Sequence, residues 1–122
     1  MSVTVSLLFL MWVRSFVFTL AAEVPVYVLL VWKKVPLWRA VVAGMAGTCL
    51  THPLLWFVWP KVVSDYTVYI VTGEILVAVI ETLVFWIIAR PVFFSRAVAA
   101  SFIANAVSYG LGMLLRALGV PL

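Results

Sequence analysis

Charge is scarce in this chain, with eight Lys or Arg and four Asp or Glu among 122 residues. A water-soluble domain ordinarily carries about a quarter of its residues as charges, so a sequence this poor in them cannot wrap one. The single cysteine, Cys49, excludes an intrachain disulfide and a cysteine-rich zinc site. The single histidine, His52, excludes the paired-histidine signature of a zinc protease. No glycine-rich phosphate loop and no serine-nucleophile motif occurs. The basic residues flank apolar stretches as topology signals and lipid contacts, so nucleic acid is not an expected partner.

What is present is hydrocarbon: 67% of the residues are hydrophobic and the mean hydropathy is +1.28. These values identify an all-α integral membrane protein whose partner is the lipid bilayer. Closed barrels also span membranes, but their strands alternate polar and apolar residues, whereas these stretches are continuously apolar over helical lengths. Four spans are expected, near residues 5–32, 36–59, 67–89 and 95–118. They form a compact bundle of two helical hairpins in a single transmembrane domain, 1–122, with no room for a soluble domain. The first apolar stretch, Val3 to Trp32, would be about 45 Å long against a core of about 30 Å, so it tilts or its start lies in the interface. No basic segment precedes Leu7–Leu10 and no small-residue cleavage pattern follows, so the start is read as part of the first span.

Lys33, Lys34 and Arg39 flank the first connection and Arg90 and Arg96 the last, against Lys61, Arg14 and Arg116 at the other end. The bias favours cytoplasmic loops near 33–36 and 90–95 with both termini outside, and the bacterial inner membrane is the expected location. Trp12, Trp32, Trp38, Trp56 and Trp59 fall at span boundaries and read as an interfacial belt.

Against this background three glutamates stand out inside apolar spans: Glu23 in the first, Glu74 and Glu81 in the third. A charge at the bilayer centre costs about 2.5–3.5 kcal/mol on insertion scales, so a carboxyl there keeps its proton or pairs with a cation. Helical rise sets Glu23, Glu81 and Asn105 about 13 Å from the cytoplasmic boundary, with His52 and Glu74 in a second layer nearer the outer surface. Arg14 lies half a turn around the helix from Glu23, which argues against direct pairing. Small residues on the second span (Ala40, Gly44, Thr48, His52, with Ala43, Gly47 and Thr51) and on the fourth (Ser101, Asn105, Ser108, Gly112) allow helices to approach closely. His52 precedes Pro53, and a polar side chain there can serve a carbonyl that the proline leaves without a donor.

The leading expectation is proton- or cation-linked transport or binding at Glu23, His52, Glu74, Glu81 and Asn105. In it, Glu81 and Glu23 are midplane acceptors, Glu74 and His52 the outer entry, and Asn105 orients a carboxyl. His52 with Glu74 is the candidate pair for a metal ion; the sequence names no cofactor and no catalytic residue. Between Glu81 and Arg90 no ionisable group continues the path, so alternating access or a pore formed between subunits would supply the rest; a homo-oligomer or a membrane-complex partner is the expected assembly. The alternatives are a non-catalytic accessory subunit of a larger membrane complex and an intramembrane enzyme using the buried glutamates. Glu74-Ile75-Leu76 followed by Ile80-Glu81 resembles the glutamate-bearing helix of bacterial diacylglycerol kinases over eight residues. Val77 replaces that family's asparagine and four spans depart from its three, so no family assignment follows.

Overall fold

A computed structural model describes residues 3–120, and all regular structure among them is helical. The elements are α1 (Val3–Leu30), α2 (Leu37–Pro53), a π-helical turn (Leu54–Val58), α3 (Trp59–Val62), α4 (Tyr66–Ile88) and α5 (Phe94–Ala117). Four helical segments are long and apolar enough to cross a membrane: Thr4–Leu30, Leu37–Val62, Tyr66–Ile88 and Phe94–Ala117. The second runs past the expected end at residue 59 because the backbone negotiates Pro53 and Pro60 by widening instead of stopping.

That widening has a local cause. Within the π turn the Trp59 N–H reaches the Leu54 carbonyl, and Pro60 has no N–H to offer the Leu55 carbonyl next in register. The Tyr69 hydroxyl from α4 donates to Leu55 O at 2.8 Å and meets that need. The nearby His52 side chain, expected as the group that serves a freed carbonyl, instead lies 3.4 Å from the Ser15 hydroxyl of α1. Helix α4 starts cleanly because the Asp65 carboxylate accepts from Val68 N at 3.0 Å and caps its first turn.

Each long helix packs against two neighbours, α1 and α4 both lying against α2 and α5. Because successive helices run in opposite directions, α1 and α4 are parallel and face one another diagonally across the centre. Glycines set the spacing. A methyl group added at Gly44 would stand 3.1 Å from Tyr27 Cδ2, and one at Gly47 would stand 3.0 Å from Glu81 Cγ. Without side chains at these two positions α2 closes onto the tyrosine of α1 and the glutamate of α4.

The apolar core occupies the end of the bundle with the two basic connections. Tyr27, Val31, Ala40, Phe85, Ala89, Ala97 and Ala100 are all buried there. At the same end Arg39 donates to the Arg90 carbonyl and Arg96 to the Leu30 carbonyl at 2.9 Å, each arginine holding the helix end of the other hairpin. Large apolar side chains point outward at both ends of the bundle, among them Leu29, Trp38, Phe93 and Leu118. Trp32 and Trp38 are exposed as a belt would require. Trp12, Trp56 and Trp59 are half-buried: Trp12 and Trp56 pack about His52, and the Trp59 indole N–H donates to Thr72. Cys49 is exposed on the outer side of α2.

Candidate functional site

Glu23 and Glu81 meet at the centre, each about 1% exposed, on the two helices that face one another diagonally. Donors from α1, α2 and α5 surround their carboxyls. Glu23 takes Thr48 on Oε1 at 3.1 Å and Ser108 on Oε2 at 2.6 Å. Glu81 takes Thr51 on Oε1 at 2.8 Å, with the Tyr27 hydroxyl at 2.9 Å and the Asn105 amide at 2.7 Å on Oε2. The Thr48 hydroxyl also lies 3.5 Å from Glu81 Oε1, so one hydroxyl stands between the two carboxyls. Asn105 is itself fixed by a second amide bond, 2.8 Å to the Ser101 carbonyl.

This wiring has an approximate two-fold pattern. The run Glu23, Tyr27, Arg39-Ala40-Val41, Ala43-Gly44, Thr48, Thr51 of the first hairpin recurs in the second as Glu81, Phe85, Arg96-Ala97-Val98, Ala100-Ser101, Asn105, Ser108. The offset is constant but for one residue lost in the shorter connection. Each carboxyl therefore takes one donor from the second helix of its own hairpin, Thr48 or Asn105, and one from the other hairpin, Ser108 or Thr51. Tyr27 and Phe85, also equivalent, pack across the centre with ring centroids 4.6 Å apart and planes tilted by 33°. Arg39 and Arg96, the two clasps of the basic end, are equivalent residues, although the carbonyls they reach, Arg90 and Leu30, are not at equivalent positions. Parallel hairpins repeated in this fashion place their axis along the bundle.

Of the residues expected from sequence, Glu23, Glu81 and Asn105 join one hydrogen-bonded network. His52 and Glu74 line the same cavity as the pair but, among the described residues, bond to neither carboxyl. No three His, Cys, Asp or Glu side chains converge to hold a metal ion among the described residues. Asn105, Thr48 and Thr51 are expected from the sequence as bonding partners of the buried glutamates; Tyr27 and Ser108 as donors, and which carboxyl each group serves, emerge only with the fold, and the internal repeat is the signal in the sequence that marks them.

A cavity of about 240 Å³ leads to the pair. Its floor is Glu23, Thr48, Glu81 and Asn105, and its rim includes the exposed Tyr66 and Arg116, at the end away from the basic loops. Toward the basic end the buried, packed rings of Tyr27 and Phe85 close it. A one-ended opening predicts one-sided chemistry. In a Cys49→Ala background, Thr19→Cys on the cavity wall is expected to react with a membrane-impermeant thiol reagent from one face of sealed vesicles only. Reaction from both faces, or from neither, would contradict the one-ended cavity.

No family model, curated protein or solved structure matches this chain. The functional reading therefore rests on the chain's own chemistry.

Proposed function

We propose that the protein spans a membrane and that Glu23 and Glu81 form a carboxyl pair holding a single shared proton, which is exchanged for a cation entering through the cavity. The bundle exposes many large apolar residues and buries Glu23 and Glu81, the reverse of a water-soluble protein and the arrangement lipid favours. Its basic end, with Lys33, Lys34, Arg39, Arg90 and Arg96, faces the cytoplasm in this reading, and the cavity opens to the opposite side.

The observation that carries the proposal is the count of donors around the two carboxyls. Tyr27, Thr51 and Asn105 can all donate to Glu81 at once, which is how an ionised carboxylate is satisfied in a dry site. Glu23 is served only by hydroxyls with a choice. Ser108 lies within reach of the Asn105 carbonyl at 3.2 Å as well as of Glu23. When Ser108 turns its hydrogen to that carbonyl, the short contact to Glu23 is satisfied by a proton on Glu23. One ionised and one protonated carboxyl, bridged by Thr48, leave a single negative charge at the cavity floor. Buried carboxyls in membranes are used to relay protons or to select cations, and both uses need such a charge reached from water.

Infrared difference spectroscopy of the reconstituted protein tests this, with Glu23→Gln and Glu81→Gln compared to the parent. The protonated-carboxyl stretch is expected to respond to pH and to added cation in the parent, and to be lost or displaced in each variant. A carboxyl band that ignores pH, cation and both substitutions would show the pair to be inert hydrogen-bonding groups.

A further inference from the structure

We infer that the Ser108 hydroxyl is the relay through which the shared proton passes between Glu23 and the cavity. This rests on the shared-proton reading just given and adds the proton's route. Glu23 and Glu81 are each about 1% exposed, so water in the cavity reaches their proton through a neighbour. Among the described residues five side chains hydrogen-bond to the pair: Tyr27, Thr48, Thr51, Asn105 and Ser108. Four of them are themselves buried, none more than 8% exposed. Ser108 alone is half-buried, and it lines the cavity. It stands about one turn from Asn105 toward the open end, on the face of α5 that continues through Gly112 to Arg116 at the rim. A methyl group added at Gly112 would meet nothing nearer than Phe18 Cε1 at 3.7 Å, so the wall leaves room over the hydroxyl.

The internal repeat shows why the outlet is on one side of the pair. Thr51 holds the matching position beside Glu81 but is about 1% exposed. Asn105 Nδ2 is an unconditional donor to Glu81, because the Ser101 carbonyl that it also meets can only accept. Glu81 is thus the fixed charge and Glu23 the member that exchanges. Ser108 Oγ lies 2.6 Å from Glu23 Oε2 and 3.2 Å from the Asn105 carbonyl. With Glu23 protonated, its Oε2–H donates to Ser108 Oγ, whose own hydrogen rests on that carbonyl. When this hydrogen swings to a water molecule in the cavity, the Glu23 O–H bond breaks, Ser108 Oγ takes the proton, and the hydrogen it carried leaves with the water. The products are a Glu23 carboxylate accepting from Ser108 and a hydronium ion at the open side; the reverse step reloads Glu23. A cavity of about 240 Å³ has room for the several waters this needs.

Hydrogen–deuterium exchange of the protonated-carboxyl stretch, followed by infrared spectroscopy of the reconstituted full chain after transfer to D₂O, tests the relay. Threonine and valine at position 108 are alike in shape and differ in the hydroxyl. Ser108→Thr is expected to exchange about as fast as the parent and Ser108→Val at least about tenfold more slowly, with equal amide exchange in the two. A hydroxyl that only holds helices together would change carboxyl and amide exchange in parallel. Equal carboxyl exchange in Ser108→Thr and Ser108→Val, or a difference that the amides share, would overturn the inference. Should Ser108→Val fail to fold, Ser108→Ala takes its place against the parent, with the same slowing expected. A carboxyl band that Glu23→Gln leaves unchanged would remove the shared-proton reading itself; a Glu23 band whose exchange ignores the hydroxyl removes only the relay.

Discussion

Glu81→Leu is expected to abolish the folded protein in detergent, whereas Glu81→Gln at the same position leaves it folded. Leucine matches the volume roughly but strands the Tyr27 and Thr51 hydroxyls and the Asn105 amide, three donors that converge on this one side chain. Interhelical hydrogen bonds in membranes average about 0.6 kcal/mol and reach about 1.7, so losing three costs about 2–5 kcal/mol. That is a large share of the stability of a small domain. Glutamine keeps one carbonyl oxygen for Asn105 and Tyr27 and turns its NH₂ toward Thr51 and Thr48, whose hydroxyls can rotate to accept. The measurement is monodisperse recovery by size exclusion together with an apparent melting temperature. Glu23→Leu should be milder, since only Thr48 and Ser108 are stranded and Ser108 has the Asn105 carbonyl as a second acceptor. Comparable recovery of Glu81→Leu and Glu81→Gln would show that the network does not hold the bundle together.

Phe85→Ala is the second large effect, and it reads the closure below the carboxyl pair. Phe85 is fully buried against Tyr27, and its removal leaves a hole where the cavity now ends. Phenylalanine-to-alanine changes in packed cores cost about 3–5 kcal/mol. Beyond destabilising, the hole removes one of two packed rings that separate the cavity from the basic end, so vesicles carrying the variant should dissipate an imposed pH gradient faster than the parent. Phe85→Leu, which refills most of the volume, should remain as tight as the parent at a smaller stability cost. A tight Phe85→Ala that is well folded would mean that the barrier lies in the layer of Val31, Ala89 and Val92 instead.

How much of this was legible in the chain differs from residue to residue. Glu23, Glu81 and Asn105 could be set at one height from the sequence because helical rise is fixed, and they do share one network. His52 and Glu74, set higher by the same count, line the cavity above that network. Thr48 and Thr51 were legible as part of a small-residue stripe and as hydroxyls able to bond a buried glutamate, but not which carboxyl each hydroxyl meets. Tyr27 carried no signal of its own in an apolar run, and its importance comes from standing opposite Phe85 with Glu81 within reach of its hydroxyl. Trp12, Trp56 and Trp59 show the limit of composition. Tryptophan near a span end is usually an interfacial anchor, yet here the irregular backbone around Pro53 and Pro60 draws three of five into partial burial.

The sequence by itself determined the helical class, the four apolar lengths and the heights of the acidic groups, because hydrophobic run length and rise per residue are properties of a single helix and need no partner. Only the tertiary structure decided that α1 and α4 lie diagonally opposed, that each glutamate takes a donor from both hairpins, and that the cavity stops at Tyr27 and Phe85. Periodicity tells which residues share a face, but which faces meet is fixed by packing between helices. Here Gly44 and Gly47 admit a neighbour's side chain, and two arginines lock each hairpin to the end of the other.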